Sequence, residues 1–291
     1  MKDIEAFLKY LKVLRKDSDY TIVSYENDLL ELYDFTTDLR GITEEIARDY
    51  LEYLYMKGLS RNSISRKLSA IRSFYQYLGN EGKVTENYFK EISNPRKKDS
   101  LPKYAKDNDL EKLFACFDKE SALGQRNALI LEMLYATGLR IGELVRIKVS
   151  DIHSYNRSIK VLGKGKKERV VFFGGYCEDA LELYLNDGRN KLNKKNCEYL
   201  FLNKNGGRLS DRYIRKMIDD AVLKCEIDYH ISPHTLRHTF ATDMLNAGAD
   251  LMTVKDLLGH SSINTTGIYT HVSNEQLKKV YQFAHPRSEE K

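Results

Sequence analysis

Proline is scarce in this chain: there are four in 291 residues, and two of them, Pro95 and Pro102, bracket the stretch "SNPRKKDSLPK". A proline has no backbone N–H to give to a helix interior or a central strand, and it biases the preceding residue away from helix. The stretch is also charged and poor in apolar residues, so no packed element is expected to cross it. The chain is therefore expected to fold as two domains, residues 1–93 and 105–291, joined by a linker at 94–104. The length agrees with roughly two domains.

The first segment has the period of helices. In "MKDIEAFLKYLKVLRKD" the residues Ile4, Leu8 and Leu11 form one stripe. In "SISRKLSAIRSFYQYL" the stripe is Ile64, Leu68, Ile71, Tyr75 and Leu78, and Gly79 is expected to close the helix. Tyr25 to Phe35 and Glu44 to Tyr55 read the same way. The second domain begins with helical patterns at Leu110 to Phe117 and Arg126 to Ala136, the latter stopped by Gly138. In "RSIKVLGKGKKERVVFFG" the period changes to two: Ile159 and Val161, then Gly-Lys-Gly-Lys, then Val170 and Phe172. That predicts a β-hairpin with a basic tip. Helical pattern resumes near Asp211. The fold class is mainly α with a small β-hairpin.

Hydrophobic residues make up 42% and charged residues 31% of the chain, an ordinary globular balance. No apolar run approaches the roughly 18 residues of a membrane span. The charged N-terminus does not read as a signal peptide. Cys116, Cys177, Cys197 and Cys225 form no C-x-x-C pair, which predicts a reduced cytoplasmic protein without a zinc framework.

The net charge of +5 matters less than its placement. Residues 1–100 carry 17 Lys+Arg and 17 Asp+Glu, yet no acid lies between Tyr53 and Asn80, where Lys57, Arg61, Arg66, Lys67 and Arg72 fall. A second cluster holds Arg157, Lys160, Lys164, Lys166, Lys167 and Arg169 against Glu168 alone. Both clusters suit phosphate contact, with two solvated faces as the alternative reading.

Six polar positions then call for a common explanation. In "SPHTLRHTFATDMLNAGAD", Ser232 suits an N-cap and Pro233 the first helical position. His234 and Arg237 then lie one turn apart at a helix start, where free N–H groups favour an anion. In "YATGLRIGELVRIKVSDI", Arg140 follows the helix-ending Gly138, and Glu143 is placed to orient a neighbouring cation. Lys164 stands between two glycines at the hairpin tip. In "LLGHSSINTTGIYTH", Gly259 breaks the short helix Leu251 to Leu258, His260 follows, and Tyr269 lies beyond a run of small and polar residues. Each position alone has an ordinary structural explanation, such as a salt bridge, a cap or a turn lysine.

Together they suit attack by a phenol oxygen on a phosphodiester. Two guanidiniums stabilise the charge of the pentavalent transition state. A histidine accepts the phenolic proton, and a lysine protonates the leaving 5′ oxygen. A tyrosyl phosphate conserves the bond energy, so rejoining needs neither ATP nor metal. No cofactor is expected: the chain shows no Walker loop and no acidic cluster for a two-metal nuclease.

The motifs "ATGLRIGEL", "GKGKKERVV", "HTLRHTFAT", "LLGH" and "TTGIYTHV", in that order, resemble the tyrosine site-specific recombinases, most closely the Xer-type group that resolves chromosome dimers. "LSRNSISRKLSAIRSFYQYL" is similar to the helical, SAM-like core-binding domain of that group, and "YTHVSNEQLKKVYQFAHPR" to its C-terminal helix and tail. The resemblance implies a catalytic set of Arg140, Lys164, His234, Arg237, His260 and the nucleophile Tyr269. The arginines would clamp the phosphate, Lys164 would be the general acid, His234 the general base and His260 a phosphate donor. Lys57, Arg61, Arg66, Lys67, Arg72, Lys166, Lys167 and Arg169 would contact DNA. The resemblance further implies a two-domain C-shaped clamp on duplex DNA with a mixed α/β catalytic domain. It also implies a tetramer at synapsis, of one chain or with a paralogue, that exchanges the C-terminal helix at about Asn274 to Phe283. A DNA translocase touching the C-terminal region is a candidate partner, and a nucleoid-associated place in the cytoplasm is the expected location. A mobile-element integrase of the same chemistry, a type IB-like topoisomerase and a helix-turn-helix regulator over "FATDMLNAGADLMTVKDLLGHSS" are the alternatives.

Overall fold

A computed structural model describes residues 1–94, 104–163, 168–259 and 273–288. It divides into two compact units, Met1–Ser100 and Leu101–Lys291.

The first unit is built from helices α1 (Lys2–Val13), α2 (Asp19–Thr36), α3 (Glu44–Met56) and α4 (Arg61–Asn80), followed by a single 3₁₀ turn at Tyr88–Lys90. Ser18, Thr43 and Ser60 cap α2, α3 and α4 by accepting a backbone N–H three residues on. The apolar stripe of α4 is fully inward: Ile64, Leu68, Ile71, Tyr75 and Leu78 are all buried, with Phe74 beside them. On α1 the buried residues are Ile4, Phe7 and Leu11, with Leu8 at the edge of the core. Gly79 does not close α4. The helix runs on to Asn80, and the turn is made at Gly82, whose φ is +66°.

The second unit contains α5 (Asp107–Ala115), α6 (Ala122–Thr137), α7 (Ile141–Leu144), β1 (Ile152–His153), β2 (Ser158–Leu162), β3 (Glu168–Phe172), α8 (Gly175–Leu183), α9 (Arg189–Leu192), α10 (Asp211–Lys224), α11 (Pro233–Asn246), α12 (Leu251–Leu258) and α13 (Asn274–Ala284). From Gly124 to Thr137, α6 is buried except at Asn127, so it forms the axis of the unit. It packs against α5, α8, α11 and β3. The strands form an antiparallel sheet in the order β1-β2-β3, with Ile159 opposite Val171 and Lys160 opposite Val170.

The hairpin alternation is displaced from the expected one. Val171 and Phe173 join the main core around α6, while Phe172 joins a second cluster with Phe240, Met244, Leu258, Leu277 and Tyr281. Strand β3 is covered on both faces, so neither parity is a solvent face. The residues sharing a face with Val171, Arg169 included, therefore point inward.

The C-terminal helix α13 packs in this chain on its own unit through Leu277, Tyr281 and Ala284. The tail beyond it is pinned. His285 stacks on Tyr281 at 5.0 Å, and burial pushes its imidazole down to about 3. The Arg287 guanidinium lies between Phe114 and Tyr176, 4.3 and 3.9 Å from the ring centroids, and donates to Glu132 at 2.5 Å. Truncating one partner of such a part-buried pair removes a charge-assisted hydrogen bond from the other. Arg287→Ala is expected to destabilise the unit by roughly 3 kcal/mol. Urea denaturation of the full chain checks this.

Candidate active site

Two helices end against one arginine. Ser232 caps α11, its Oγ accepting the Thr235 N–H at 3.1 Å, and Pro233 occupies the first position. One turn further, Arg237 is buried to 8% exposure. Its Nη1 donates to Gly138 O at 2.5 Å and its Nη2 to Leu258 O at 2.7 Å. Gly138 is the cap residue of α6 and Leu258 the last residue of α12. The final carbonyls of a helix lack intrahelical donors and carry the negative end of its dipole, so a guanidinium there satisfies both.

Glycine is required at both ends. Gly138 has φ +59°, and a Cβ on it would meet Leu258 Cδ2 at 2.7 Å and Phe240 Cδ1 at 2.8 Å. Gly259 has φ +65°, and a Cβ there would meet Arg169 Cδ and Nε at 2.9 Å. Burial, then the nearby Arg140 and Arg169 charges, push the Arg237 guanidinium down to about 10, with Glu143 opposing. It stays charged at neutral pH.

Arg140 is the N-cap residue of α7, two residues beyond Gly138. Its backbone N–H donates to Glu143 Oε2 at 2.9 Å, its Nη1 to Glu143 Oε1 at 3.1 Å, and its Nη2 reaches Gly259 O at 3.4 Å. Arg169 takes the same carboxylate in a parallel fork, Nη1 to Oε1 at 2.8 Å and Nη2 to Oε2 at 2.9 Å. Burial opposes ionisation of Glu143. The Arg169 hydrogen bonds and charge, with the Arg140 N–H and charge, outweigh it and hold the carboxyl below its ordinary value. Two guanidiniums thus hold one carboxylate and a third, Arg237, lies near enough to feel its charge, an excess of positive charge suited to an anion.

Of the expected catalytic set, Arg140 and Arg237 meet at the end of α12, and His234 is exposed in the first turn of α11. Lys164, His260 and Tyr269 lie outside the described residues, as do Lys166 and Lys167. Arg61 is exposed at the first position of α4.

The acid-free window from Tyr53 to Asn80 is not acid-free in space. Asp28 and Glu31 on α2 face it: Arg66 and Lys67 pair with Asp28, and Lys67 and Lys57 with Glu31. Burial works against Glu31, but its bonds to Lys57 and Lys67 hold its carboxyl below the usual range. Arg72 donates to Phe89 O at 2.8 Å and Ile92 O at 2.5 Å, tying α4 to the turn that follows it. The expected unopposed cationic face is therefore matched by α2 at three positions. Arg169 likewise is 15% exposed and engaged with Glu143 instead of standing on the hairpin surface. Strand parity was the signal for it: Arg169 alternates with Val171, not with Val170.

Among the described residues, no three His, Cys, Asp or Glu side chains gather closely enough to hold a metal ion, and no helix is long and apolar enough to cross a membrane.

Residues 103–276 match the phage integrase family and residues 4–82 the N-terminal SAM-like domain of phage integrases. The chain belongs to the phage integrase family and is a tyrosine recombinase, an enzyme that breaks and rejoins DNA strands. Its similarity is to the Xer type. It is 44% identical to the tyrosine recombinase XerC of Staphylococcus saprophyticus over 288 residues, 98% of this chain and 97% of that one. It resembles the XerA recombinase structure at 30% identity and a TM-score of 0.50, covering 99% and 100% of the two chains. It also resembles the XerH site-specific recombinase bound to its palindromic difH substrate after cleavage, at 25% identity and a TM-score of 0.71, covering 96% and 80%.

The site carries a pH signature. The folded-state value of Glu143 lies below its ordinary 4.5, so its ionised form contributes stability in full above about pH 4.5. That contribution fades as the pH falls through the lower, folded-state value. Glu143→Gln is expected to lower stability at neutral pH and to flatten this part of the acid limb. Thermal unfolding of both proteins across the acid range checks it.

Proposed function

We propose that this enzyme is a site-specific recombinase that pairs two copies of a short, roughly palindromic DNA site and exchanges their strands through a Holliday junction, resolving chromosome or plasmid dimers in the cytoplasm before division. The observation that carries the reading is the pair of arginines held at the end of α12. Both are fixed by carbonyls or a carboxylate, and the residues that follow α12 in sequence are His260 and then Tyr269.

In this reading the helical unit, residues 1–93, binds the core of the site and residues 105–291 carry the chemistry. Arg140 and Arg237 neutralise the non-bridging oxygens as the phosphorus becomes pentavalent. Tyr269 Oη attacks, its proton passing to His234, and the O5′–phosphorus bond breaks as Lys164 protonates the departing oxygen. His260 donates to the phosphate. The 3′-phosphotyrosyl bond then accepts a 5′ hydroxyl from the partner duplex, regenerating the phenol. Two duplexes with two cleavage positions each require four protomers, whether of this chain alone or with a paralogue. A DNA translocase contacting the C-terminal region fits as an activator.

Tyr269→Phe is expected to leave DNA binding intact and to abolish detergent-resistant protein–DNA adducts on a nicked suicide substrate. An undiminished adduct would overturn the nucleophile assignment. Lys164→Ala is expected to slow cleavage on ordinary DNA by about 10²-fold or more, the scale of general acid catalysis. A 5′-bridging phosphorothiolate, whose sulfur leaves without a proton, is expected to restore the rate.

A further inference from the structure

Arg169 was expected among the DNA-contacting cations of the hairpin, and its surroundings indicate another role. Its side chain is 15% exposed, and both terminal nitrogens are taken by Glu143 at 2.8 and 2.9 Å. Its Cδ–Nε–Cζ edge lies against the Cα of Gly259, where a methyl group would have no room. Such a guanidinium is poorly placed to meet a phosphate. It binds the Glu143 carboxylate that also holds Arg140, and it packs against Gly259, whose carbonyl Arg140 reaches.

A carboxylate and a guanidinium form a two-bond fork whenever nothing competes. With Arg169 removed, Glu143 would keep its hydrogen bonds to Arg140 without that competitor. It would draw the Arg140 fork onto itself, neutralising the charge that the scissile phosphate needs. With Arg169 present, the fork on Glu143 is already filled. Arg140 keeps one side-chain bond to Glu143, and its side chain remains 42% exposed. We propose that Arg169 is a positioning residue for strand cleavage: by occupying Glu143 from β3 and packing under Gly259, it holds the Arg140 guanidinium oriented toward the scissile phosphate instead of consumed by Glu143. The inference rests on the phosphate-clamping role of Arg140 given above.

Glutamine keeps much of the length of Arg169 and removes its charge. Arg169→Gln is expected to bind the recombination site with unchanged salt dependence, while single-turnover cleavage of a nicked suicide substrate at saturating protein falls at least 10-fold. The double variant Arg169→Gln/Glu143→Gln is expected to recover part of that loss, because the competing carboxylate is gone. A residue needed only for folding would show no such recovery.

If Arg169 instead contacts a DNA phosphate, the slope of log K against log salt drops by about 0.9 and cleavage at saturation stays at the wild-type rate, which would overturn the proposal. Lack of recovery in the double variant would also overturn it. If Arg169→Gln does not fold, Arg169→Lys is read in its place. It keeps the charge and loses the fork, and cleavage at the wild-type rate by this variant would equally exclude the role. Wild-type protein and Tyr269→Phe accompany every assay. Absence of adduct from the wild type refutes the recombinase mechanism itself, whereas normal wild-type cleavage with an unaffected Arg169→Gln refutes only the positioning role.

Discussion

A buried guanidinium joining two helix ends organises the catalytic unit. Arg237 donates to a carbonyl at the end of α6 and to another at the end of α12, and so ties the two helix ends together. Two of the residues expected at the site, Arg140 and His260, lie within a few residues of those stops in the sequence. Arg140 begins α7 two residues after Gly138, and Gly259 and His260 follow Leu258 directly. Burial first, then the Arg140 and Arg169 charges, lowers the pKa of Arg237, and the Glu143 carboxylate opposes them.

The first unit uses charge differently. Asp28 is 1% exposed and holds Arg66 and Lys67, so these ion pairs fasten α2 to α4. These cations differ in exposure. The side chains of Lys57 and Arg66 are 44% and 47% exposed, open to solvent beside their carboxylates. Lys67, at 12%, and Arg72, turned to two carbonyls, are fixed within the unit. A neutral block of sequence can therefore present a few exposed cations without carrying a net positive charge.

These differences separate what was legible in the sequence from what was not. Local signals carried through. The Ser232–Pro233 start of α11, the Gly138 and Gly259 stops and the α4 stripe depend only on neighbours in the chain, where caps, glycines and a 3.6-residue period act. Ion pairing did not, because Asp28 and Lys67 are 39 residues apart and no local pattern joins them. The role of Arg169 fell between the two. Alternation was visible, but the choice of face was not: a strand buried on both sides gives two apolar parities, and Val170 and Phe172 looked no less inward than Val171.

That two-sided burial gives β3 a double role. On one face Phe172 lies 6.4 Å from Tyr281 of α13, within the cluster that seats the C-terminal helix. On the other face Arg169 holds Glu143, and through it Arg140. The side chains are three residues apart on a strand locked to β2 by its register, so β3 cannot slide along β2 without disturbing both contacts. The seat of the C-terminal helix and the carboxylate that holds Arg140 are therefore both contacted by one short strand. Lys164, expected to supply the leaving-group proton, precedes that strand in the same hairpin.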